Sequence, residues 1–235
     1  MPVQKKEPED LTAKKTLALE VIQRLKAEYP DAGCTLDYDH AWQLLVSVRL
    51  AAQCTDARVN IVVEELFAKY PSVAALAAAE PEDIEAIVKP CGLGRSKARD
   101  ISACMRVLRD KYNCRVPDTF EELLALPGVG RKSANLIMGD VFGKPAIVTD
   151  THCIRLCNKI GLVDGIKEPQ KVEMALWKII PPEEGSDLCQ HTRRGGLHQY
   201  YTCPGLFYQE KGSKNQPKAT TWRSWALATM AQPPL

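Results

Sequence analysis

The residues with the clearest chemical potential lie together in Leu126-Pro127-Gly128-Val129-Gly130-Arg131-Lys132-Ser133-Ala134. An amphipathic helix is expected to end at Leu126, and a second to start at Arg131. Proline and two glycines between them make a very tight turn, because glycine admits positive φ and close backbone approach. The second helix then presents free N–H groups and the positive end of its dipole. Such a turn can hold a phosphate oxygen, with Arg131 and Lys132 adding charge beside it. It would grip a DNA backbone without reading sequence. A plain packing corner between helices can also use Gly-x-Gly, so the whole nine-residue string is what singles this turn out.

Helices must position these residues, and the periodicity is helical throughout. Leu17, Val21, Ile22 and Leu25 share one face of a first helix. Trp42, Leu45, Val46 and Arg49 to Ala52 predict a mostly buried second. Ala57 to Tyr70 follows, with Thr55 and Asp56 as caps. Glu82 to Lys89 is a short helix stopped by Pro90 and Gly92. Another is expected to begin at Ser96, with Ile101, Met105 and Leu108 inward. Asp118 and Glu121 suggest a capping box ahead of Leu123 and Leu124. Further helices are predicted at 131–142, 151–160 and 168–180. The strand-like run Ala146 to Val148 is too short for a sheet. The expected class is all-α.

Composition narrows the function classes. Of 235 residues, 45% are hydrophobic and 26% charged, which excludes a wholly disordered chain. No apolar run reaches the length of a membrane span, and Met1 to Leu11 lacks the apolar core of a signal peptide. The expected compartment is therefore the cytoplasm or nucleoid. Nine cysteines, odd in number and irregularly spaced, read as buried small hydrophobes in a reducing compartment. Cys153 and Cys157 share a helix face, but two thiols alone make a poor metal site. The net charge of +2 hides an asymmetry: from Gln190 onward six Lys/Arg face one acid, Glu210. Such a tail can touch a polyanion or simply stay solvated. Nothing suggests an oligomer, so a monomer is expected.

The string 126–134 resembles the helix–hairpin–helix of the endonuclease III DNA repair glycosylases. Val148-Thr149-Asp150-Thr151-His152 resembles that family's aspartate segment. Ala51-Ala52-Gln53-Cys54-Thr55-Asp56 and Gly92-Leu93-Gly94-Arg95-Ser96-Lys97-Ala98 match further motifs in order and spacing. The resemblance runs from about Leu17 to Cys189. It implies a six-helix barrel with the hairpin over 38–148, and a second helical domain from 1–37 and 149–235. It also implies base-excision repair of oxidised pyrimidines in duplex DNA, with lyase action at abasic sites. The chemistry suits the residues. Breaking an N-glycosidic bond at C1′ of a flipped nucleotide leaves positive charge on the sugar, which the Asp150 carboxylate would stabilise. A neutral amine can attack C1′ and form a Schiff base, the role implied for Lys132. Nearby cations and partial burial favour a neutral lysine. By the same resemblance Gln53 fills the void left by the flipped base, and Leu93 wedges the opposite strand. Gly128, Val129, Gly130 and Arg131 hold the backbone. Plainer roles stand beside these: a phosphate contact for Lys132, an N-cap for Asp150, an ordinary loop leucine and helix-end amide for Leu93 and Gln53. His152 reads as structural.

The match fails at the end. The family's closing pattern, C-x6-C-x2-C-x5-C, holds a [4Fe–4S] cluster. Here only Cys203, after Tyr200-Tyr201-Thr202, fits, and one thiolate cannot hold a cluster that needs four. The expectation is no cluster and no metal. Gly195-Gly196 is expected to break the helix before that loop. Either the basic, aromatic tail (Trp222, Arg223, Trp225) replaces the loop, or an altered reading frame has damaged the second domain. Accordingly two further readings stand: a catalytically impaired DNA-binding protein, or the same chemistry on another pyrimidine lesion.

Overall fold

The computed structural model describes residues 8–201, with side chains over 11–194. Every regular element among them is helical, and there is no strand. Two compact units form: Cys34–Ala146, and Met1–Gly33 with Ile147–Leu235.

The first unit carries α2 (Ala41–Leu50), α3 (Asp56–Lys69), α4 (Val73–Ala78), α5 (Pro81–Val88), α6 (Gly94–Lys111), α7 (Phe120–Leu124) and α8 (Arg131–Asp140). Its centre is α6, packed on α4 and α5. The sequence of α6 explains this: Ile101, Cys104, Met105 and Leu108 recur at helical spacing on an otherwise charged helix, and all are buried. Truncating the fully buried Leu108 to alanine would cost roughly 2–5 kcal/mol. The caps behave as short polar residues should: Thr55 and Ser72 accept the backbone N–H of Arg58 and Ala75.

The second unit carries α1 (Pro8–Glu28), α9 (Thr151–Ile160), α10 (Pro169–Leu176) and α11 (Gly185–Tyr201). Its core joins Val21, Ile22 and Leu25 of α1 to Leu156 and Ile160 of α9, Val172 and Leu176 of α10, and Leu188 of α11. Lys26 of α1 reaches Glu184 and Asp187, each at 2.7 Å. All eight described cysteines are free thiols, and five are buried: Cys91, Cys104, Cys153, Cys157 and Cys189. Burial pushes the Cys104 thiol up to about 12, so it packs as a neutral hydrophobe.

Several sequence expectations need correction. The helix expected from Ser96 starts at Gly94, because Leu93 in a left-handed conformation serves as its N-cap. The helix expected to end at Leu126 ends at Leu124. Its cap is Thr119, not Asp118. The Thr119 hydroxyl accepts the Glu122 N–H and donates to the Glu122 carboxylate, while the Asp118 carboxylate is held by Lys144 at 2.6 Å. The helix expected over 168–180 covers only Pro169–Leu176. Finally, α11 runs through Gly195-Gly196. Two interior glycines cost about 1 kcal/mol each relative to alanine. The preceding turns, with Leu188, Cys189 and Thr192 buried and α11 packed on α1 and α9, carry the helix past them. Cys203 and the Trp222–Trp225 tail lie outside the described residues.

Candidate functional site

The hairpin turn is closed by a hydrogen bond from the Val129 N–H to the Leu126 carbonyl at 3.2 Å. The two glycines do different work. Gly128 has φ +74°, and a Cβ there would lie 2.8 Å from Asp100 Cβ and 3.3 Å from Arg49 Cδ. Only glycine fits. Arg49 of α2 and Asp100 of α6 are themselves paired, with Nε and one terminal nitrogen of Arg49 on the same carboxylate oxygen at 2.8 and 2.6 Å. The turn therefore seats on an ion pair linking two helices. Gly130 is different: its φ is −99° and nothing lies within 4 Å of its Cβ position. That side of the turn is open.

The backbone N–H of Ala134 reaches the Gly130 carbonyl at 2.9 Å, so α8 begins directly after Gly130. The amides of Lys132 and Ser133 stand in the first turn, where a helix offers no acceptor of its own. With the dipole they favour an anion in front of Gly130. Arg131 is held over the Phe120 ring, 5.0 Å from its centre, which fixes its charge beside the turn. Lys132 is exposed. The partial burial expected for it is absent because its first-turn position faces outward while Ala134 to Ile137 face the core.

Gln53 and Leu93 belong to the same unit. Gln53 follows α2 and Leu93 precedes α6. Both are exposed, Leu93 at 57%, and both have left-handed backbones, with φ of 56° and 52°. Positive φ is uncommon outside glycine and costs of order 1–3 kcal/mol. Gly94 next to Leu93 is also constrained, since a Cβ there would meet the Lys89 Cα at 3.1 Å. Both side chains are thus held outward by backbone geometry that an ordinary loop would not adopt.

Asp150 lies in the other unit. It is the N-cap of α9, accepting the Cys153 N–H on Oδ1 at 2.7 Å, and is half-buried. The cap leaves its second carboxylate oxygen available for other work. Behind it, Cys153 and Cys157 sulfurs lie 3.9 Å apart, and the Cys189 sulfur accepts the Val148 N–H at 3.1 Å. Hydrogen bonding to Cys153, then burial, pushes the Cys157 and Cys189 thiols well above their usual range. These sulfurs are core packing. Among the described residues no three His, Cys, Asp or Glu are arranged to hold a metal ion.

Arg49 and Asp100 were missed in the sequence because they are 51 positions apart and only the fold pairs them. Lys97 stood in a quoted motif without a role. Its partners are the backbone carbonyls of Leu50 and Cys91, and a carbonyl leaves no mark in the residue types.

Known proteins resemble this chain over most of its length. The family described as "HhH-GPD superfamily base excision DNA repair protein" matches residues 46–182. Endonuclease III of Synechocystis sp. is 41% identical over 182 residues, covering 77% of this chain and 83% of that protein. Endonuclease III of Escherichia coli K12 is 37% identical over 189 residues, covering 80% and 88%. A trapped endonuclease III–DNA covalent intermediate aligns with a TM-score of 0.74 at 36% identity, covering 85% of this chain and 90% of that one.

Proposed function

Because this chain belongs to the endonuclease III family of the HhH-GPD superfamily, and so is a base-excision repair DNA glycosylase and abasic-site lyase, we propose that Lys132 and Asp150 carry its chemistry on oxidised pyrimidines. The target nucleotide leaves the stack. As the C1′–N bond breaks, the base departs with the bonding electrons and takes up a proton. The Asp150 carboxylate stabilises the positive charge left on the sugar. The Lys132 amine nitrogen bonds to C1′ and gives up a proton, the bond from C1′ to the ring oxygen breaks as that oxygen takes up a proton, and a protonated imine results. Loss of a C2′ proton then ejects the 3′ phosphate by β-elimination. Gly128, Val129, Gly130 and Arg131 grip the phosphate backbone, Gln53 fills the vacated space, and Leu93 displaces the opposite base.

One observation supports this reading above the others. The open side of Gly130, the first amides of α8 and the exposed Lys132 occur within three residues. A backbone phosphate bound there brings the amine to the strand being cut. Borohydride trapping on a duplex with one oxidised pyrimidine tests it, with Lys132→Gln as control. A trapped complex that disappears in the control is expected. DNA bound without any trapped complex would leave only a binding protein, and a complex persisting in Lys132→Gln would assign another amine.

The family's iron–sulfur cluster does not fit these residues. Counted from Cys203, the remaining ligand positions hold Glu210, Ser213 and Ala219. The Cys157 and Cys189 thiols are buried and packed in the core of their unit. We propose a cluster-free enzyme working as a monomer at the chromosome. Iron and acid-labile sulfide analysis of the purified protein should find neither in stoichiometric amount; one cluster per chain would refute the proposal.

A further inference from the structure

Lys97 has no exposed surface at all. Its Nζ donates to the Leu50 carbonyl and to the Cys91 carbonyl, each at 2.8 Å. Leu50 is the last residue of α2, and Cys91 ends the 3₁₀ turn Lys89–Cys91. Both carbonyls are therefore helix-terminal acceptors carrying partial negative charge, which a lysine head suits. Three residues beyond Leu50 stands Gln53, and two beyond Cys91 stands Leu93. A single buried amine thus ties together the two turns that hold these exposed, left-handed side chains.

Stability alone does not call for this arrangement. A lysine buried without a carboxylate is a costly way to satisfy two carbonyls, since a neutral donor would do so without burying a charge. Desolvation here lowers the Lys97 pKa, in keeping with that penalty. The bonds also differ from ordinary core packing in direction. They fix where two chain segments stop relative to each other, 47 and 6 positions from Lys97. Void filling and strand wedging require both segments at one spacing, set by the duplex.

We infer that Lys97 is a positioning residue for duplex distortion, holding the Gln53 and Leu93 turns at the separation that lets both enter the helix together. This rests on the roles given above to Gln53 and Leu93. Misplacing catalytic or inserting groups by about 1 Å can cost up to 10²-fold in rate. The Lys97 effect belongs to the opening of the paired duplex, not to the lysine chemistry.

The test compares single-turnover cleavage, at saturating enzyme, of two duplexes with the same oxidised pyrimidine. One is fully paired. The other is gapped opposite the lesion, so no partner base needs displacing. Lys97→Met keeps most of the apolar stem and removes both hydrogen bonds. It should slow the paired substrate about tenfold or more and the gapped one about twofold or less. 2-Aminopurine placed opposite the lesion should lose its unstacking signal. In a Gln53→Ala/Leu93→Ala background the Lys97→Met effect on the paired substrate should vanish, because the variants act in one chain of cause. Equal slowing of both substrates, or full additivity in the cycle, would overturn the inference and leave a structural lysine. If Gln53→Ala/Leu93→Ala itself leaves the paired-to-gapped ratio unchanged, the roles of Gln53 and Leu93 fall, and this inference with them. Should Lys97→Met not fold, Lys97→Arg takes its place in the same cycle. Its longer head displaces the two carbonyls and should give the same selective loss; a wild-type ratio would overturn the proposal.

Discussion

Replacing Gly128 and Gly130 singly by alanine separates the two parts played by the hairpin. At Gly128 an alanine must adopt φ +74°, which costs about 1–2 kcal/mol for an L residue. Its Cβ would also stand 2.8 Å from Asp100 Cβ and 3.3 Å from Arg49, so the turn must lift off the ion pair beneath it. Overpacking of this kind adds roughly 1–3 kcal/mol. Gly128→Ala should therefore lose about 2–5 kcal/mol of folding stability. At Gly130 φ is −99° and the Cβ position is empty, so Gly130→Ala should cost no more than about 1 kcal/mol, the N-cap preference for glycine over alanine. A phosphate held at that open face would be displaced. Gly130→Ala should then bind DNA several-fold more weakly, with a shallower dependence of log affinity on log salt by about one phosphate contact. Urea denaturation supplies the stabilities, and fluorescence anisotropy over a salt series supplies the binding. Equal destabilisation by both variants would refute the seating on Arg49 and Asp100. A Gly130→Ala variant with parental affinity and salt slope would refute the phosphate grip.

Asp150→Asn should keep the cap of α9, since asparagine caps as well as aspartate, while removing the carboxylate. Its melting temperature should stay near the parent's and base release should fall at least about 10²-fold; a large loss of stability, or activity retained, would contradict the dual role. Lys26 is held above its ordinary value of 10.5, chiefly by its hydrogen bond to Asp187 and then that to Glu184. A raised pKa stabilises the fold while the group stays charged, so this contribution is complete below pH 10.5 and is lost as pH climbs through the higher folded value. The stability gap between the parent and Lys26→Met should be small, because the pair is partly exposed, and should close above pH 10.5. A gap that persists there would mean that Lys26 acts by packing alone.

What could be known from the residues themselves was local. The helical class follows from apolar stripes such as Ile101, Met105 and Leu108, and Asp150 as a cap follows from its place before Thr151. The hairpin string could be read from its own neighbours, whereas Gln53 and Leu93 stood out only through the resemblance of their segments to family motifs, since singly they read as a helix-end amide and a loop leucine. Competition between local signals misled twice. Asp118 looked like the cap of α7 until Lys144, 26 positions away, claimed its carboxylate. Gly195-Gly196 looked like a break, but the helix containing it is anchored by turns packed on α1 and α9. Tertiary structure alone decided which glycine is sterically required, because Gly128 sits over an ion pair drawn from two distant helices and Gly130 over nothing. It also decided what Lys97 is for. A lysine in a helix sequence reads as a solvated charge, and only the meeting of two chain ends around it makes it a buried tie. Periodicity reports which face of an element is apolar; it carries no information on which polar group from another element will meet it there.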